Sequence, residues 1–231
     1  MEKDTAVIIV CGGNSTRMGK NKILLPLGNT NVIGCDLLVF EQCESVAEIV
    51  IVARECDRQA ILETVQSLNI QKKITITTGG ETRQDSVING VKMVSREMEY
   101  VAIHDGARPL VLPKDVEKVI YDAHIFGAAT LGVPVKDTIK IVEDGLVEDT
   151  PVRSKLYITQ TPQVFKKRLY IDGVDFAIEH KLNFTDDCQI AEAMGARVCM
   201  TTGSYENIKL TTPEDIFIMQ KIKENQDMQN A

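Results

Sequence analysis

Short runs dense in valine and isoleucine recur along the chain at "TAVIIV", "EIVIVA", "KITITT", "YVAIHD" and "ATLGVPV". Short runs of this kind, bounded by more polar segments, read as β-strands. Between them lie longer segments whose apolar residues recur at helical spacing, namely Asp57 to Leu68, Gln84 to Val94 and Pro113 to Phe126. Strands joined by crossover helices predict an α/β fold: a Rossmann-like, mainly parallel sheet with helices on both faces and right-handed connections. No long Pro, Gly or Ser linker and no internal repeat interrupts the series, so residues 1–231 read as a single domain.

The pattern changes over Lys136 to Tyr157, where apolar and charged residues alternate around the turn signal "EDG". That predicts a β-hairpin arm, too thin to be stable in water alone. A second copy of the chain is the natural surface for it to lie on, which makes a homodimer the expected assembly. Beyond the arm the sequence predicts helices near Lys166 to His180 and Asp186 to Gly195, a strand at "ARVCMTTG", the segment "NIKL", and a last helix from Thr212. In "TTPEDIF", Thr212 suits the cap and Pro213 the first helical position, while Glu214 and Asp215 favour the helix dipole.

Charge then narrows the choice of ligand. A formal net charge of -7 argues against a nucleic-acid binder or a protein drawn to anionic membranes, so any positive charge used in binding must be local. A small anionic ligand fits. The six cysteines are scattered, without a C-x-x-C pair or a histidine at zinc-ligand spacing, and read as free thiols. The amino terminus lacks the apolar length and basic flank of a signal peptide, and no segment is apolar enough to cross a bilayer. These features predict a cytoplasmic protein.

In open parallel sheets ligands collect beyond the carboxyl ends of the strands. Four polar stretches are expected there: "CGGNSTRMGKNK" (Cys11 to Lys22), "GGETRQDS", "HDGARP" and "PVKDT". Gly12 and Gly13 let the backbone turn tightly and aim amide groups at phosphate oxygens, with Arg17 and Lys22 adding formal charge; a plain strand-to-helix turn is the other reading. The stretch is neither a P-loop nor a G-x-G-x-x-G dinucleotide fingerprint. In "HDGARP", Asp105 suits a hydrated magnesium ion and Arg108 a second phosphate, or the two form a local pair that stiffens a turn. His104 reads as a structural hydrogen-bonding residue, and His124 and His180 sit within helical patterns. Lys209 in "ENIKL" is either an inward cation on a strand or a solvated one. Asp186 and Asp187 read equally as first-turn acids of a helix.

In order along the chain, "VIIVCGGNSTRMG", "GGETRQDSV", "HDGARP", "PVKDTIK", "TQTPQVF", "TDD" and "ENIKLTTPEDI" resemble the cytidylyltransferases that act on 2-C-methyl-D-erythritol 4-phosphate in the non-mevalonate route to isoprenoids. The resemblance covers nearly the whole chain. It implies a nucleotidyltransferase that uses CTP and a sugar-alcohol phosphate with magnesium or another divalent cation. It implies catalytic roles for Arg17, Lys22 and Lys209 at the phosphates. Cys11, Gly12, Gly13, Gly80, Glu81 and Ser86 would border the nucleotide, and Asp105 the ribose and metal. Arg108, Thr138, Arg153, Thr161 and Lys209 would meet the sugar-alcohol phosphate, with Thr138 and Arg153 serving the partner's site across crossed arms. The first loop departs from the family's A-A-G-x-G-x-R at Cys11, Gly12 and Ser15, and is also similar to that of the molybdenum-cofactor guanylyltransferases. Ribitol 5-phosphate cytidylyltransferases share much of the pattern. A non-catalytic nucleotide-binding module would not need the full cation set present here, and a Rossmann-type oxidoreductase would carry the glycine fingerprint that this sequence lacks.

Overall fold

The computed structural model of the chain describes residues 2–12 and 21–229. A seven-stranded sheet runs through it in the order β11-β7-β10-β6-β1-β4-β5. The predicted runs form β1 (Thr5–Val10), β4 (Val46–Ala53), β5 (Lys73–Thr78), β6 (Tyr100–Asp105) and β7 (Ala128–Pro134). Two short strands, β2 (Pro26–Leu27) and β3 (Thr30–Asn31), form a small separate ladder. The hairpin consists of β8 (Ile141–Glu143) and β9 (Leu146–Asp149), followed by β10 (Tyr157–Lys166) and β11 (Cys199–Thr202). All neighbours in the large sheet are parallel except β10, which runs antiparallel to both β6 and β7.

The continuous apolar runs are explained by two cores, one on each face. Val7 and Ile9 of β1 and Ile49 and Ile51 of β4 pack beneath α1 (Val32–Gln42), α2 (Arg58–Ser67) and α4 (Pro113–Phe126), through Leu37, Phe40, Ile61 and Ile120. Ile8, Val50, Val101 and Ile103 face the other way, under α3 (Arg83–Lys92), α5 (Lys167–Glu179) and α6 (Cys188–Ala193). Successive residues thus bury on opposite faces, the period-two geometry of a strand. A third cluster joins α7 (Pro213–Gln229) to Leu27, Ala107 and Leu210. The carboxyl ends of β1, β5 and β6 open on one rim.

Four readings from sequence need correction or extension. Helix α1 lay unassigned because its sequence "VIGCDLLVFEQ" is apolar on most sides, which hides the helical period; Asn31 caps it by accepting the Gly34 N–H at 2.9 Å. Strand β10 was missed because "YITQTPQVFK" mixes polar residues with a proline. The helix expected over Asp186 to Gly195 contracts to Cys188–Ala193, with Asp186 Oδ1 accepting the Gln189 N–H at 3.1 Å. "NIKL" is no strand: Ile208 N–H bonds back to Glu206, and Leu210 N–H reaches the Ala107 carbonyl, so this segment is tied to the "HDGARP" loop instead of to a ladder.

Residues 136–150 are exposed throughout, as the arm predicts. Asp144 and Gly145 both take positive φ, 49° and 80°, the conformation a two-residue hairpin turn needs. Among the described residues no helix is long and apolar enough to cross a membrane.

Candidate active site

A cleft of about 310 Å³ opens at the carboxyl ends of β1, β5 and β6. Cys11 and Gly12 line it from the end of β1. Lys22 and Ile23 line it from the far side of the first loop, and Gly80, Glu81, Thr82, Arg83 and Ser86 from the start of α3. Asp105 and Ala107 come from "HDGARP" and Lys209 from the segment before α7. Eight residues singled out from sequence therefore converge: Cys11, Gly12, Lys22, Gly80, Glu81, Ser86, Asp105 and Lys209. Gly13, Ser15 and Arg17 lie outside the described residues.

Helix α3 begins at the cleft for a local reason. Thr82 accepts the Asp85 N–H at 3.0 Å and Asp85 accepts the Thr82 N–H at 3.1 Å, a reciprocal cap that fixes where the helix starts. The positive end of its dipole is thereby set beside the cleft. Ser86 is buried, its hydroxyl donating to the Thr82 carbonyl at 2.9 Å and accepting the Gly80 N–H at 3.0 Å. Gly80 has no alternative residue: a Cβ there would stand 2.2 Å from the Asp85 Cβ. Cys11, where the family pattern has alanine, is accommodated by Gly106, since a Cβ on Gly106 would lie 2.4 Å from the Cys11 sulfur. Burial pushes the Cys11 thiol well up, so the sulfur is an inert wall of the cleft and not a nucleophile.

Asp105 is the electrostatic hub. Lys209 Nζ donates to its Oδ2 at 2.8 Å, Arg83 Nη2 lies 3.7 Å from Oδ1, and Arg108 Nε lies 3.7 Å from Oδ2. Burial alone would raise this carboxyl, but Lys209, Arg83 and Arg108 outweigh it and hold it at about 2. Arg83 reaches further, donating to Asp187 Oδ2 at 2.6 Å, while the Tyr170 hydroxyl donates to Asp187 Oδ1 at 2.6 Å. Asp187 is thus the anchor of Arg83 and not simply a first-turn acid. Sequence reasoning passed over Arg83, although a cation directly after the helix-capping threonine was visible in "GGETRQDS". Lys22 Nζ donates to the Leu210 carbonyl at 3.0 Å, linking the first loop to the segment that carries Lys209.

The remaining candidates sit elsewhere. Arg108 is committed to the fold: it donates to the Asn207 carbonyl at 2.8 Å and to the Thr159 carbonyl at 3.4 Å, beside its contact with Asp105. Thr161 is buried on β10, with its hydroxyl bonded to the Asp105 N–H and to His104. Thr138 and Arg153 belong to the exposed arm, where Arg153 donates to the Lys136 carbonyl at 3.1 Å. None of these four lines the cleft, and no histidine does either. Among the described residues no group of three or more His, Cys, Asp or Glu side chains is gathered as a metal cage. Asp105, already paired with three cations, is a single ligand at most, so the site fits a divalent ion carried on a ligand's phosphates and not one held by protein alone.

The chain is similar to known proteins along nearly its whole length. A family model described as 2-C-methyl-D-erythritol 4-phosphate cytidylyltransferase (IspD) matches residues 5–225. A protein of that name from Caldanaerobacter subterraneus subsp. tengcongensis is 41% identical over 219 residues, covering 93% of this chain and 96% of the relative. One from Clostridioides difficile is 40% identical over 219 residues, covering 94% and 92%. The crystal structure of 4-diphosphocytidyl-2C-methyl-D-erythritol synthase from Anaerococcus prevotii superposes with a TM-score of 0.86 at 29% identity, over 95% of this chain and 98% of that one. Sheet order, the capped loop and the charged rim thus accompany a match along nearly the full length, and the chain belongs to the 2-C-methyl-D-erythritol 4-phosphate cytidylyltransferase family.

Proposed function

We propose that this chain transfers the cytidylyl group of CTP to 2-C-methyl-D-erythritol 4-phosphate, releasing pyrophosphate. The observation that carries this reading is the convergence of Lys22, Lys209 and Arg83 on one cleft at the strand ends, in a chain that is otherwise acidic. The acceptor's phosphate oxygen attacks the α-phosphorus, and the bond to the leaving pyrophosphate breaks. A phosphate monoester has a second pKa of about 6, so its dianion is already abundant at neutral pH and needs no general base. The obstacle is bringing two anions together, which fixed positive charge and alignment overcome.

In this reading Lys22, with Arg17, neutralises the triphosphate, and Lys209 serves the reacting phosphate. The backbone at Gly12 and Gly80, with Glu81 and Ser86, borders the base and ribose. Asp105 would be the protein carboxylate offered to a magnesium ion bound with the triphosphate, whose positive charge would help neutralise the phosphates. The arm completes the site in a homodimer. Its support is the apolar surface on a two-stranded ribbon, where Leu146 is 73% and Val147 59% exposed. Thr138 and Arg153 would reach the partner's acceptor phosphate from there, with Arg108 and Thr161 flanking it on the chain's own side.

The test is pyrophosphate release from CTP with methylerythritol phosphate, against ribitol 5-phosphate as acceptor and against GTP with molybdopterin. The reading expects turnover with the first combination and at least about 100-fold less with the others, a discrimination typical of sites that hydrogen-bond their substrate. Preference for ribitol 5-phosphate or GTP, or nucleotide binding without turnover, would replace it.

A further inference from the structure

The most unusual feature outside the cleft lies beneath it. Asp36 and His104 are both fully buried, and His104 Nε2 is 3.2 Å from Asp36 Oδ1. The other ring nitrogen, Nδ1, is 3.1 Å from Thr161 Oγ1, and that same oxygen accepts the backbone N–H of Asp105 at 3.0 Å. Phe40 meets the imidazole edge to face with ring centroids 5.0 Å apart, fixing its plane. Asp36 Oδ2 has no hydrogen-bond partner. A dry carboxylate with one orphan oxygen is expensive compared with an apolar residue of the same size, so its presence calls for a role other than stability.

We infer that Asp36 is a positioning residue for the nucleotide site, acting through His104 and Thr161 to hold the backbone of Asp105.

The direction of the chain follows from donor and acceptor inventory. The Asp105 N–H can only donate, so Thr161 Oγ1 accepts it. The hydroxyl proton of Thr161 then needs an acceptor, and among the described residues His104 Nδ1 is the group placed for it. An unprotonated Nδ1 puts the ring proton on Nε2, where Asp36 Oδ1 accepts it. All three bonds point from Asp105 toward Asp36, so each polarises the next in the same sense. The reverse order, with Nδ1–H donating to Thr161, would leave the threonine proton without a partner in a buried place. Burial raises the Asp36 carboxyl and the His104 hydrogen bond opposes that rise; at the end of the chain Oδ1 offers the acceptor that holds the ring proton on Nε2, and this tautomer leaves Nδ1 to take the threonine proton. Asp36 on helix α1, which does not itself line the cleft, thereby sets the carboxylate on which Lys209, Arg83 and Arg108 converge.

The inference rests on reading the cleft as the nucleotide site, and two readouts separate the claims. In the unliganded protein, nitrogen-15 spectra of the His104 ring should show the Nε2–H tautomer in wild type and Asp36→Asn, which keeps an acceptor oxygen, and the Nδ1–H form in Asp36→Leu. In steady-state kinetics Asp36→Leu should raise the KM for CTP about tenfold with kcat changed less than about threefold, and Asp36→Asn should restore KM to within about threefold of wild type. A wild-type ring protonated on Nδ1 overturns the chain even if Asp36→Leu does not fold. A folded Asp36→Leu with unchanged KM overturns the positioning role. Failure of the functional reading would appear differently, as a wild-type enzyme that does not turn over CTP.

Discussion

Replacing Asp105 by asparagine keeps the shape of the hub and removes its charge. The size of the effect follows from the depression of its carboxyl from 3.8 to about 2, worth about 2.5 kcal/mol of stability at neutral pH. Its side chain is only 14% exposed, so solvent screening discounts little of that. In a chain of this length Asp105→Asn should lower the melting temperature by about 5 to 10 °C. The pH dependence is the sharper part. The folded pKa lies below the unfolded one, so the contribution is fully present above about pH 5 and is lost as the pH falls through about 2. Urea unfolding of wild type and variant in parallel should therefore give a constant gap from pH 8 to 6, narrowing by about 1 kcal/mol at pH 3 as the unfolded wild-type chain takes up a proton that the folded carboxylate still resists and asparagine cannot bind. A gap that stays constant down to pH 3, or no gap at pH 7, would refute the account of Lys209, Arg83 and Arg108 as net stabilisers of this carboxylate.

Other parts of the site make separate demands. Lys22→Ala and Arg17→Ala should each lower turnover by at least about 100-fold with circular dichroism unchanged, because the loss is in charge stabilisation during transfer; near-normal pyrophosphate release would remove the residue from the mechanism. Gly80→Ala should raise the KM for CTP and cost about 2 kcal/mol of stability by thermal melting, because its Cβ would stand 2.2 Å from that of Asp85 and force α3 to shift. Leu146→Glu combined with Val147→Glu should shift sedimentation toward monomer without lowering the stability of the fold, since both side chains are exposed; an unchanged sedimentation coefficient would deny the arm its role in assembly.

What the sequence made legible divides along physical lines. β1, β4 and β6 announced themselves because burial on both faces demands a nearly unbroken apolar run, β5 and β7 because β-branched residues recur between turn signals, and the arm because a thin exposed ribbon must alternate. α1 and β10 did not, since the first has no polar face and the second gives up apolar positions to Thr159, Gln160 and Thr161. One of those polar side chains serves the site, Thr161, whose hydroxyl reaches the Asp105 backbone, while Gln160 donates to the Ser204 carbonyl. The cleft's glycines, Lys22, Asp105 and Lys209 could be picked out by residue type at predicted strand ends. Partnerships could not, because they join residues far apart in sequence: Lys209 to Asp105 across 104 positions, and Arg83 to Asp187 across another 104. Nothing local in "TDD" distinguishes an acid that caps a helix from one that anchors an arginine.

Those partnerships explain why an anion site should be built around a carboxylate. Lys209, Arg83 and Arg108 all approach within 3.7 Å of Asp105, and without its charge they would repel one another and splay toward solvent. The acid holds them in place before any ligand arrives, so their orientation need not be purchased during the reaction. Under the proposed function the cost is competition, because an incoming triphosphate would have to draw Lys209 from a 2.8 Å ion pair. Arg83 feels less of it, since its closer partner, Asp187, lies 2.6 Å away and is almost fully buried. The two cations thus differ in kind: Arg83 is a fixed charge in the wall of the cleft, while Lys209, 42% exposed and bound only at its tip, is free to transfer from Asp105 to a phosphate oxygen. A lysine suits that exchange, being a point charge on a flexible stem, whereas an arginine locked to two carboxylates does not.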